Sequence, residues 1–224
     1  MKKAGYTTAH VGKYLHSDFK PDLKNGVHWK HIVPPGWDHF CVSLGSNYLQ
    51  FPSYVKSTNK FMKTMGDEYR TDWDVRNAIA ILQSHANGKN QNKPLMLCWS
   101  PIAAHVTGDG SKMVAPRHKS MFTDAEIPEF MSRLNEPATN QIEEMRQLDV
   151  PDIGKRAYLT DVYRDRLRAT KSIDEGIGAL RMELDKLGLL DNTIFVITSD
   201  HGFRLAHHRP VSYTHLTLPT ICSV

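Results

Sequence analysis

Three short stretches place groups suited to oxyanion and metal chemistry just past apolar runs. Gly12-Lys13 closes "TTAHVGK", His105 closes "PLMLCWSPIAAH", and Asp200-His201 interrupts "TIFVITSDHG". An ammonium, an imidazole and a carboxylate–imidazole pair together suit a divalent cation and an anionic oxyacid ligand. Taken alone, each has an ordinary alternative. Lys13 after a glycine reads as a solvated loop lysine, and His105 as a loop histidine. Asp200 before Gly202 reads as a turn whose carboxylate accepts backbone N–H bonds. What favours a site is their shared position, each group directly after a candidate strand.

Those strands are Thr7–Gly12, a short stretch, Pro94–Ser100, strongly apolar, and Thr193–Ser199, whose Ile194–Ile197 is apolar without alternation and so expected to be buried on both faces. Helical patterns lie between them. Residues 71–88 open with a candidate N-cap at Thr71 or Asp72 and end at Gly88. A longer pattern runs from Tyr158 to Leu187, with Tyr163, Leu167, Ile173, Ile177, Leu180, Leu184 and Leu187 on one face and Gly188 as a left-handed stop. Gly176 and Gly178 inside it each cost roughly 1 kcal/mol against alanine, which predicts close packing against a neighbour.

Helices alternating with fully apolar strands predict an α/β fold, a mostly parallel sheet flanked by helices. The carboxyl ends of parallel strands share one edge, where open sheets of this class take their ligands. Residues 106–155, interrupted by Pro116, Pro128, Pro137 and Pro151, predict an irregular excursion over that edge. The tail "VSYTHLTLPTICSV", residues 211–224, matches nothing around it in texture. It is expected to be a non-native extension of a domain spanning residues 1–210, a frayed natural terminus being the alternative.

Composition narrows the class of function. The 224 residues, 40% hydrophobic and 23% charged, describe a globular domain with room for a real core. A net charge of +4 permits an anionic substrate. It falls short of the basic stripe that nucleic acid requires, even at a pI near 8.9, and no aromatic–basic motif accompanies it. Twelve histidines raise the prospect of metal or acid–base work only modestly. Cys41, Cys98 and Cys222 are too far apart for a zinc pattern and suggest no disulfide framework. No apolar run approaches the roughly 20 residues of a membrane span, and the first residues lack the apolar centre of a signal peptide.

Five segments carry a family resemblance: "AGYTTAHVGKYL" (Ala4–Leu15), "PPGWDHF" (Pro34–Phe40), "PLMLCWSPIAAH" (Pro94–His105), "YRDRLRATKSIDEGIGAL" (Tyr163–Leu180) and "LDNTIFVITSDHGFRLAHHR" (Leu190–Arg209). In this order they resemble the sulfatases of the alkaline-phosphatase superfamily, most closely the branch of the N-acetylglucosamine-6-sulfatases. The resemblance implies a sulfuric ester hydrolase, calcium-dependent and acting on sulfate esters of aminosugars or glycosaminoglycan-type glycans. It implies a formylglycine nucleophile, made by a maturation enzyme from Cys or Ser in a C/S-x-P-x-R motif. It also implies a periplasmic, secreted or lysosomal location. Carried over by position, Asp200 and His201 match the family's metal ligands, and Lys13 matches the lysine that contacts the sulfate. His105 matches a histidine that reaches the sulfate or the leaving oxygen. His16 and His208 match positions of further substrate-side residues.

Two departures qualify this. No C/S-x-P-x-R occurs in the sequence, and the family's early Asp-Asp metal pair is absent. The sequence therefore reads as a sulfatase domain incomplete at both ends and inactive alone. It is further expected to leave a gap or an open edge in its sheet. A metal-dependent phosphoesterase of the same superfamily is the first alternative. A non-catalytic binder of sulfated glycans is the second.

Overall fold

The computed structural model describes residues 1–14, 33–56, 60–63, 68–105, 113–128, 143, 152–200, 202–205 and 211–214. Two units are distinguished: residues 1–121 with 166–193, and residues 122–165 with 194–224.

The first unit is built on a five-stranded sheet of order β4-β3-β2-β1-β5. Its strands are β1 (Thr7–Gly12), β2 (His39–Ser43), β3 (Pro52–Val55), β4 (Lys60–Lys63) and β5 (Leu95–Ser100). β1 runs parallel to both β2 and β5, with Gly12 opposite Val42 on one side and Ser100 on the other. β3 and β4 extend the sheet antiparallel. The expected fold class is therefore the one observed, an α/β sheet with its central strands parallel. Every residue of β1 is buried, the polar Thr7, Thr8 and His10 included.

Two helices pack on this unit: α1 (Arg70–Ala86) and the C-terminal part of α2 (Ile153–Lys186). Ala9, Val11 and Cys41 share a core with Trp73, Ala78, Ile81 and Leu82 of α1 and Leu180 and Leu184 of α2. The opposite face of the sheet holds Phe40, Val42 and Tyr54, with Tyr14, Val33 and Trp37 against them. Both helices were legible from apolar spacing, but their starts differ from expectation. α1 begins at Arg70, and its N-cap, Tyr69, makes no side-chain cap bond, so Thr71 and Asp72 lie in the first turn. Tertiary contacts set that start: the Tyr69 hydroxyl donates to the Met113 carbonyl at 2.6 Å, and Arg70 is drawn into the sheet. α2 begins at Ile153 rather than near Tyr158, and Gly188 supplies the left-handed stop at φ 66°.

Of the two helix glycines, only Gly176 is packed. A Cβ there would lie 2.5 Å from Trp99 and 2.7 Å from Val75, whereas one at Gly178 would meet nothing within 4 Å. We expect Gly176→Ala to destabilise by about 1–3 kcal/mol through overpacking. Gly178→Ala should instead stabilise by roughly 0.5–1 kcal/mol through helix propensity. Urea midpoints of the two variants check both signs, and equal effects would contradict the packing assigned here.

The stretch from residue 113 to 121 includes a 3-10 turn, Pro116–His118, tied to both helices. Arg117 forms a bidentate pair with Asp72 at 2.7 and 2.8 Å and reaches Glu175 at 2.9 Å. His118 Nε2 lies 2.9 Å from Glu175, and the Ser172 hydroxyl lies 3.2 Å from His118 Nδ1. A Ser–His–carboxylate chain has the residue types of a hydrolytic triad. Ser172 is only 1% exposed, however, so no substrate reaches it, and the chain serves as a clamp from buried Ser172 and His118 to the exposed Glu175.

In the second unit Leu159 of α2 is fully buried with Ile127 against it, and Arg164 donates to the Ala125 carbonyl at 2.8 Å. Strands β6 (Gly202–Leu205) and β7 (Val211–Thr214) pair antiparallel, so the head of the anomalous tail has a ladder partner. The third expected strand is a correction. Thr193–Ser199 forms no strand, and Ile194, Val196 and Ile197 are 91%, 82% and 75% exposed. A run apolar on both faces gains strand structure only from a neighbour that completes its ladder and covers its side chains. Among the described residues none does.

Candidate active site

The chemistry-bearing residues of the first unit gather where β1, β2 and β5 end. Gly12 closes β1 at φ 103°, and a Cβ on it would stand 2.3 Å from the Ser100 carbonyl oxygen. The two parallel strands thus approach most closely at a point only glycine can occupy. Lys13 follows, its N–H donating to the Ser100 carbonyl at 2.7 Å, and its side chain is half-buried at the sheet edge.

Two residues before Gly12 in β1, His10 is 3% exposed. Its ring sits among Tyr14, Trp37 and Phe40, with centroids at 5.0, 5.4 and 5.5 Å. Nε2 lies 3.1 Å from the Lys13 carbonyl oxygen, which assigns the ring proton to that nitrogen. Burial pushes the imidazole down to about 4, against the opposing pull of the Lys13 carbonyl, so the ring is neutral at physiological pH.

His105 ends the turn after β5. Its N–H bonds to the Ile102 carbonyl at 2.8 Å, and its own carbonyl accepts from the Tyr48 hydroxyl at 2.8 Å. Arg166 of α2 donates to the Ala104 carbonyl at 2.6 Å, so the turn is held from two further directions. Tyr48 is fully buried, and burial raises its hydroxyl pKa well above the ordinary range, leaving it a permanent donor. Lys13 and His105 therefore follow adjacent parallel strands at the same edge.

Beneath that edge lies a buried polar group that sequence reasoning missed. The Arg70 guanidinium donates from Nε to the Ser43 hydroxyl at 2.9 Å and from Nη2 to the Ser43 carbonyl at 2.5 Å. Nη1 reaches the Leu44, Gly45 and Asn47 carbonyls at 3.3, 2.8 and 3.1 Å. One side chain thus gathers the whole loop leaving β2. Asp74, one helical turn on, accepts from the Ser43 hydroxyl at 3.3 Å, while its Oδ2 meets no hydrogen-bond donor among the described residues. Burial pushes the Asp74 carboxyl up to about 7, with Arg70 opposing the rise. The Trp99 N–H is near enough to oppose it too, without meeting hydrogen-bond geometry. The only advance signal was the Arg70–Asp74 spacing of four on one helix.

The remaining sequence candidates stand elsewhere. Asp200 is exposed at a bend in the second unit, not at the end of a sheet strand as expected. His16, His201 and His208 lie outside the described residues. Among the described residues no group of three or more His, Cys, Asp or Glu side chains is placed to hold a metal ion. Calcium takes about six to eight oxygen ligands. Among the described residues Asp200 supplies one carboxylate toward such a set.

The matching family model, Sulfatase, covers residues 1–219. The chain belongs to the sulfatase family. An arylsulfatase of Volvox carteri is 28% identical over 227 residues, an alignment that takes in 93% of this chain and 33% of that protein. The human N-acetylglucosamine-6-sulfatase is 25% identical over 201 residues, 89% of this chain and 34% of its own length. This sulfatase chain thus spans about a third of those relatives. Among solved structures, BT4656, in complex with its substrate D-glucosamine-2-N,6-O-disulfate, superposes with a TM-score of 0.64 at 23% identity, over 95% of this chain and 50% of that one. The yidJ protein of Bacteroides fragilis gives a TM-score of 0.67 at 21% identity, covering 94% of this chain and 44% of that one. At these identities the structural likeness establishes the fold. Among the described residues of this sulfatase no helix is long and apolar enough to cross a membrane.

Proposed function

We propose that the carboxyl edge of β1 and β5 is the sulfate-binding edge of a sulfuric ester hydrolase acting on sulfated aminosugars. The observation that carries the reading is the convergence of the Lys13 turn and the His105 turn on neighbouring parallel strands, Gly12 opposite Ser100. The Lys13 ammonium offsets charge on the sulfuryl oxygens, which are anionic in the substrate and throughout hydrolysis. The His105 imidazole, within the same edge, donates a proton to the departing alcohol oxygen. The aminosugar preference is supported by relatives that include N-acetylglucosamine-6-sulfatases and by a like-folded protein solved with a disulfated glucosamine.

Asp200 and His201 are assigned in this reading to a calcium ion. The nucleophile is not assigned to any residue here, because C/S-x-P-x-R does not occur in this sequence. The chain alone is accordingly expected to bind sulfate esters without turning them over.

Calorimetric titration with glucosamine 6-sulfate tests the reading. A charge-assisted bond to sulfate is worth about 1.5–3 kcal/mol, so Lys13→Ala should weaken binding by roughly 10-fold or more. His105→Ala should weaken it by about 3- to 10-fold, the worth of one hydrogen bond to the sulfate. Native affinity in both variants, or no binding by the native chain, would overturn the assignment. Glucosamine 6-phosphate binding in preference to the sulfate would favour the phosphoesterase alternative.

A further inference from the structure

His10 lies outside every role given above, yet its ring nitrogen bonds to the backbone of the residue assigned to sulfate. We propose that His10 is a positioning residue for Lys13: its Nε2–H holds the Lys13 carbonyl and fixes the direction in which the Lys13 side chain leaves the sheet edge. This rests on the sulfate-binding reading of Lys13.

Three observations carry it. The Lys13 peptide is pinned at both polar groups, its N–H on Ser100 at 2.7 Å and its carbonyl on His10 at 3.1 Å. Gly12, directly before it, has the conformational freedom that would otherwise let the turn swing. The aromatic box of Tyr14, Trp37 and Phe40 leaves the His10 ring little room to rotate away. An apolar side chain would fill a hydrophobic box at least as well as imidazole. What imidazole adds is one N–H, and that N–H goes to Lys13.

The test uses two apolar replacements in the full chain, His10→Leu, close in volume, and His10→Phe, which keeps the aromatic contacts. A third variant, His10→Gln, keeps an N–H donor. Circular dichroism verifies folding. The readouts are the hydrogen-exchange rate of the Lys13 amide and the dissociation constant for inorganic sulfate, each measured beside Lys13→Ala. A net hydrogen bond is worth about 0.5–1.5 kcal/mol, so whichever apolar variant folds should raise both by roughly 3- to 10-fold. His10→Gln should stay nearer the native values than either. A folded apolar variant with native exchange and native affinity overturns the positioning role while Lys13→Ala still upholds sulfate binding. Sulfate binding absent from the native chain, or unchanged by Lys13→Ala, overturns the functional reading, and the positioning role falls with it.

Discussion

Arg70→Met is expected to cost about 3–5 kcal/mol, because several loop carbonyls lose a charged donor at roughly 1–3 kcal/mol each. Arg70 is fully buried, so the substitution leaves four carbonyl oxygens, on Ser43, Leu44, Gly45 and Asn47, without their donor. It also leaves Asp74, fully buried, without a nearby cation. Methionine matches the length of the stem but forfeits the guanidinium's place over Phe51, where its carbon lies 5.3 Å from the ring centroid. The loss is therefore chiefly polar. Chemical denaturation measures it, and Arg70→Met with Asp74→Leu supplies the comparison. If the pair acts as a unit, the double variant should be more stable than Arg70→Met alone, because the orphaned carboxylate has gone. A double variant as unstable as the sum of the two singles would show that the pair is not coupled.

The same pair sets a pH signature. Asp74 is held at about 7 in the fold, above the ordinary value of 3.8, so its contribution is full at low pH and is lost as pH rises through 7. His10 is held at about 4, below the ordinary 6.5, so its contribution is full above pH 6.5 and is lost as pH falls through 4. Each shift corresponds to about 3–5 kcal/mol at roughly 1.4 kcal/mol per unit. Their slopes oppose between pH 4 and 6.5. Removing Asp74 should therefore unmask a stability that falls on acidification, and removing His10 one that falls on alkalinisation.

How much of this was legible in the sequence depends on whether a residue's environment is set locally. The positions of β1 and β5 were legible as short stretches that stop at Gly12 and Ser100, and Lys13 and His105 are the polar groups that come after those stops. Arg70 was not, since arginine is rarely buried without partners and its partners are loop carbonyls remote in sequence. His10 sits in β1, where burial was expected but the aromatic box around it depends on Trp37 and Phe40 from another segment. The segment Ile194–Ile197 shows the converse failure. Its composition states what covering it would need, but composition does not supply the neighbour, and the residues stand exposed. Asp200, read as closing that strand, lost its expected place with it.

Gly12→Ala is expected to disrupt the site edge by about 3–5 kcal/mol, at the upper end of single-residue effects. Two causes add. At φ 103° an L-residue pays roughly 1–2 kcal/mol in backbone strain alone. The new Cβ would also stand 2.3 Å from the Ser100 oxygen and 2.8 Å from its carbonyl carbon, both backbone atoms in the paired strand. No side chain can swing aside to relieve that contact, so β1 and β5 must separate where Lys13 donates to Ser100. Gly5→Ala is the control, because Gly5 has φ 85° but a Cβ there meets nothing within 4 Å. Subtracting its cost from that of Gly12→Ala isolates the collision, expected at about 2 kcal/mol or more in urea unfolding. Sulfate affinity should fall with Gly12→Ala and stay native with Gly5→Ala, since only the first moves the turn that carries Lys13. Equal costs for the two variants would mean that the strands part without penalty, and that the close approach of Gly12 to Ser100 does not hold the edge together.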